Sequence, residues 1–168
     1  MESVRYTIGR RAAIFTGSLR TLLFTLPLVV LNGCSEGAPP TQEVDYQSTA
    51  TVHDFMYWVL EPAADVIWDS AGYVITAEGE VDLQPTTQDG WDKVRNAATV
   101  VAESGNLLMM PGYRADTGDW VEYSVGITQA ALQARAAAEA QDADALFDAG
   151  GALYNVCRAC HNRYIVEQ

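Results

Sequence analysis

The chain has 168 residues, with 22 acidic side chains against ten Lys and Arg and a formal net charge of −12. That length holds one domain and a leader and is too short for two comfortable cores. From Cys34 onward, 21 acids face six Lys and Arg, a net of −15. A field of that sign repels nucleic acid and anionic membrane surfaces and steers toward a basic partner, although it also serves solubility alone.

Residues 1–33 read as an export signal. Arg5, Arg10, Arg11 and Arg20 come first, then an apolar stretch from Thr21 to Leu31. Thr25 and Pro27 interrupt that stretch, and it is too short for a hydrocarbon core that needs about 20 apolar residues. Leu31-Asn32-Gly33-Cys34 resembles the bacterial lipobox, with Asn32 departing from the favoured residue. The expectation is a lipid anchor through Cys34, with ordinary signal cleavage or an uncleaved anchor as alternatives. Arg10-Arg11 also hints at a twin-arginine signal. Residues 34–49, with Gly37, Pro39 and Pro40 and no helical periodicity, read as a flexible tether.

Residues 50–168 read as the folded domain, all-α, with no strand pattern. The first helix is expected over about 52–74, its stripe supplied by Phe55, Val59, Val66, Ile67 and Trp68. Pro62 should kink it by removing a donor and crowding the preceding turn; otherwise the segment is two helices. A loop with Gly79 and Pro85 leads to a second helix from a Thr87 cap to about Met110, with Trp91, Val94, Ala98, Val101 and Leu108 facing inward. Pro111-Gly112 stops it. The third helix starts at a Thr117 or Asp119 cap and runs through an alanine-rich stretch to about Ala140. The fourth opens at Asp142 or Asp144 and passes Tyr164. Short loops between long helices favour an up-down-up-down four-helix bundle.

Three cysteines are present. With Cys34 in the leader, Cys157 and Cys160 are too few for a disulfide framework. Cys157-Arg158-Ala159-Cys160-His161 matches the c-type haem attachment pattern. Positions i, i+3 and i+4 share one helix face. Both sulfurs can then reach the two vinyl groups of one haem, and His161 can offer a neutral imidazole to iron. A zinc site needs four ligands, and only His53 and distant carboxylates could complete one. A thioredoxin-like pair belongs in a βαβ setting, which is missing here, and chance occurrence is the remaining alternative.

With this motif seven residues from the C-terminus, on the last of four helices, residues 50–168 resemble the cytochrome c-prime family, the class II c-type cytochromes. Tyr164, three after the histidine, matches an aromatic residue familiar in that family. Ile165 departs from a basic residue common at its place, and the first helix lacks an arginine that many members set near the haem propionates. Arg114 or Arg158 could take that charge role. The resemblance implies one covalent haem c near the C-terminal end of the fourth helix. It also implies a sixth ligand, Met56 from the first helix, or else an open five-coordinate iron. Relatives often pair through their first two helices, so a homodimer is a further possibility.

Topology adds a test. An antiparallel bundle brings the start of the first helix, the end of the second and the start of the third to the haem-bearing end. His53, Met56, Tyr57, Trp58, Met109, Met110, Tyr113 and Trp120 lie there. Met109, Met110 and His53 are therefore alternative ligands, and each methionine is equally suited to filling a core. Trp58, Trp120 and Tyr113 are candidates for the pocket wall or for plain core. The expected function is single-electron transfer on the periplasmic side of a bacterial membrane, lipid-anchored or soluble, with a basic redox partner. The alternative is a five-coordinate module binding nitric oxide or carbon monoxide. No catalytic constellation is expected, since two histidines support no convincing serine-histidine-acid set and no glycine-rich phosphate loop occurs.

Overall fold

The computed structural model describes residues 46–165. The expected export signal, the expected Cys34 anchor and residues 34–45 of the expected tether lie outside the described residues. The described part is mostly helical: α1 (Val52–Phe55), a π-helical turn (Met56–Leu60), α2 (Glu61–Trp68), α3 (Gln88–Leu108), α4 (Asp119–Ala140) and α5 (Ala143–Tyr164). A hairpin of β1 (Tyr73–Thr76) and β2 (Gly79–Asp82) lies between α2 and α3. Because α1, the π turn and α2 follow without a break, residues 52–68 form one rod, and four rods make a helical bundle. No helix among the described residues is long and apolar enough to cross a membrane.

The π turn has a cause in the sequence. Phe55 and Leu60 are both buried, yet they are five residues apart, whereas an α-helix brings residues three and four apart onto one face. The wider turn absorbs the extra residue, and the Glu61 amide donates to the Met56 carbonyl, five residues back. Pro62 then falls in the first turn of α2, where a missing donor costs little. The register change has a consequence for the stripe. Val59 and Val66, expected inside, are 38% and 36% exposed, while Phe55, Leu60, Ala64 and Ile67 form the buried face.

The hairpin corrects the expectation of a chain without strands and of a first helix reaching Val74. Tyr73-Val74-Ile75-Thr76 is rich in β-branched and aromatic residues, which favour extended backbone. It pairs antiparallel with Gly79–Asp82, Val74 opposite Val81. All eight strand positions are exposed, so the alternation of burial that marks a half-buried strand has no counterpart here. Gly79 has φ +133°, a backbone angle that side chains rarely tolerate.

Caps define the other ends. Thr87 accepts from the Gly90 amide at 3.1 Å and starts α3. Asp142 accepts from the Ala145 amide at 2.9 Å and starts α5. At α4 neither Thr117 nor Asp119 is the cap. The cap position is Gly118, and the Asp116 carboxylate reaches across it to the amides of Gly118 (2.8 Å) and Trp120 (3.2 Å).

Neighbouring rods run antiparallel. Between α3 and α4, the Trp120 indole donates to the Leu108 carbonyl at 2.7 Å near one end, and Gln141 bonds Gln88 at 2.8 Å near the other. The first rod meets α5 at both ends: the Trp68 indole donates to the Gly150 carbonyl at 3.0 Å, and Met56 shares clefts with Cys160. The core holds Ile67, Val94, Val101, Leu108, Leu146 and Leu153, all fully buried. Alanines 130, 131, 134, 137 and 138 of α4 are buried beside them and permit close packing. Gly105 marks the tightest approach, since a Cβ there would lie 2.6 Å from the Ser124 carbonyl oxygen. Buried Ser104 and Ser124 bond the carbonyls four residues back.

Candidate cofactor site

The last turns of α5 carry Cys157, Cys160 and His161. At i, i+3 and i+4 they turn toward the first rod. Two clefts open there. The larger, about 420 Å3, is lined by Cys157, Arg158, Cys160 and His161 of α5, by Met56, Leu60, Glu61, Ala64 and Trp68 of the first rod, and by Ile127 and Tyr154. The smaller, about 340 Å3, is lined by Val52, His53, Met56, Tyr57 and Glu61 on one side and by Cys160, His161, Tyr164, Ile165 and Trp120 on the other. Met56, Glu61, Cys160 and His161 line both clefts. Each volume falls within the usual range for cofactor sites.

Both cysteines are free thiols. Burial, and secondarily the neighbouring Cys160 sulfur, pushes the Cys157 thiol up to about 11. Burial also raises Cys160. At neutral pH both therefore carry their protons, unlike redox cysteines, which electropositive surroundings hold as thiolates. Among the described residues no three His, Cys, Asp or Glu side chains gather as a metal-binding group. Two thiols, one imidazole and one thioether nonetheless line the larger cleft together, along an apolar slot. A covalently attached haem uses two thiols and an imidazole, with a thioether as one possible second ligand, and the residues fit the group.

The wall of the smaller cleft is built by contacts running away from the site. Trp120 is buried and meets the Tyr164 ring edge-on at 5.0 Å. The Tyr123 ring also meets Tyr164 edge-on, at 6.3 Å. The Tyr164 hydroxyl donates to Asp116, the same carboxylate that caps α4. Partial burial and then that bond raise the phenol to about 12, and the bond holds the Asp116 carboxyl below its ordinary value. Arg163 bonds Asp119 at 3.2 Å. The end of α5 is thus tied to the start of α4 at two points.

Of the residues expected at the site, Cys157, Cys160, His161, Met56, Arg158 and Trp120 all line one cleft or both. His53 and Tyr57 line the smaller one. Trp58 lines neither: it is 65% exposed on the outer side of the rod, beside Thr51 and Gly112. Because the π turn carries Met56 to the cleft, Trp58, two residues on, points away. Arg114 is exposed in the α3–α4 loop and lines neither cleft. Met109 and Met110 are half-buried and also line neither cleft, and Tyr113 is buried against Phe55 at 5.3 Å. Glu61, Trp68 and Tyr154 were not among the expected site residues. Tyr154, three before Cys157, was legible from helical spacing; Glu61 was not, because its place depends on the π turn.

The chain matches no known protein family, no curated protein and no solved structure.

Proposed function

We propose that this chain is a monohaem c-type cytochrome of the class II kind, an up-down-up-down bundle that carries single electrons on the periplasmic side of a bacterial membrane. The observation that carries the proposal is the convergence of Cys157, Cys160, His161 and Met56 on one apolar slot. Cys157 and Cys160 would hold haem c by thioether bonds, which form from thiols, the state both occupy. His161, and Met56 across the slot on the first rod, would hold its iron. Arg158 lies on the rim of the larger cleft, where a guanidinium can pair with a propionate. When bound, the haem supplies a one-electron couple. The residues around it exclude water through Leu60, Ala64, Ile127 and Trp120 and hold the ligands on rigid helices. Attachment outside the cytoplasm agrees with the export signal and with lipidation at Cys34.

The test is the reduced optical spectrum of protein matured in a host that attaches c-type haem in its periplasm. A covalent, low-spin haem with a thioether-iron band is the expected result, and Met56→Ala should turn it high-spin. A high-spin spectrum in the unaltered protein, shifting with carbon monoxide, would replace electron transfer by gas binding. Colourless protein whose two thiols alkylate freely would end the haem reading.

A further inference from the structure

We propose that the outer face of the first rod is the docking surface for a basic redox partner, an inference that rests on the electron-transfer reading. A helix packed on a bundle ordinarily turns a polar face to water. This one presents Tyr57 (64% exposed), Trp58 (65%), Val59 and Val66, with Pro62 exposed between them. The π turn produces that surface by displaying three consecutive apolar residues, 57–59, at once. Contiguous apolar surface of this kind marks an interaction site.

Charge identifies the occupant. Exposed Glu61, Asp65 and Asp69 rim the apolar strip, and none of them forms an ion pair among the described residues. Between Tyr46 and Asp92 the chain has nine acids and no Lys or Arg. A second copy of the chain would set these carboxylates against their own images, and an anionic bilayer would also be repelled. A partner with a basic rim and an apolar centre matches both features. The placement also serves the reaction. Tyr57 and Glu61 belong both to this face and to the lining of the cleft that holds Met56 and His161, so a partner seated on the rod lies at the mouth of the proposed haem site.

The probe is a small basic class I cytochrome c, mixed with the full-length haem-loaded protein by stopped flow. The second-order electron-transfer rate should fall several-fold as salt rises from about 10 mM to about 200 mM. At low salt, the triple variant Glu61→Gln, Asp65→Asn, Asp69→Asn should slow it several-fold, and Trp58→Ser should slow it further. The charge-matched hairpin variant Glu78→Gln, Glu80→Gln, Asp82→Asn should change it little. Equal slowing by the two triples would overturn the proposal, leaving only net charge. A dimer by sedimentation that Trp58→Ser abolishes would also overturn it, because a second copy then covers the face. Calorimetry with the same probe reads docking without any haem in this chain. Colourless protein therefore ends the electron-transfer reading, while loss of affinity in the rod triple alone, or in both triples equally, still decides the docking face.

Discussion

A thiol that burial deprives of water keeps its proton, and Cys157 shows the consequence for stability. Its pKa stands at about 11 in the folded chain against an ordinary 9.0. A raised value means that the folded state holds the proton more tightly, so the stabilisation is complete below pH 9 and lost as pH climbs through 11. The urea midpoint of the haem-free chain should therefore fall between pH 9 and 11, and alanine at both cysteines should flatten that fall. At Gly105 the constraint is steric. A Cβ would press on the Ser124 carbonyl and the Thr128 hydroxyl, so Gly105→Ala should destabilise by about 1–3 kcal/mol in urea unfolding, the cost of overpacking. At this scale the sequence was legible wherever identity decides chemistry. Cys157, Cys160 and His161 are recognised by residue type and spacing alone. Trp58 and Trp120 are the same residue type near the same end of the bundle, yet one is exposed and the other 6% exposed. Composition carries no signal that separates them.

Elements were legible to the extent that caps and periodicity define them. Thr87, Asp142 and the Pro111-Gly112 stop stand where the expected helices begin and end. Asp142→Ala should cost about 1 kcal/mol by removing a side-chain acceptor from the first turn of α5, measurable as a lower urea midpoint. Trp68→Phe should cost about 1 kcal/mol, because the Gly150 carbonyl loses its indole donor while most of the ring area remains. Two elements escaped the sequence reading. The hairpin buries neither face, so no alternation betrays it. The π turn looks like a flaw in a helical stripe, and only the joint burial of Phe55 and Leu60 shows which residues the helix spends its inner face on. That turn also accounts for the displaced valines and for Glu61 at the clefts.

Across the whole molecule, acidity opposes compactness. Twenty-one acids against six Lys and Arg from Cys34 onward leave a net −15, and self-repulsion of that size is screened by salt. Raising ionic strength from about 10 mM to about 500 mM should raise the urea midpoint, and an unchanged midpoint would show that the exposed carboxylates lie too far apart to matter. The bundle withstands the repulsion by close packing of its alanine-rich third rod and by the aliphatic core between the rods. The sequence by itself determined the helices, the Cys157, Cys160 and His161 spacing and the end of the bundle that bears it, because local propensity, residue identity and antiparallel connection need no knowledge of neighbours. Only the tertiary structure decided that Met56 and Glu61 face the clefts while Trp58 and Arg114 do not. Rotation of a helix about its own axis is set by which side chains its partners bury, and one extra residue in a turn shifts it by about 100°.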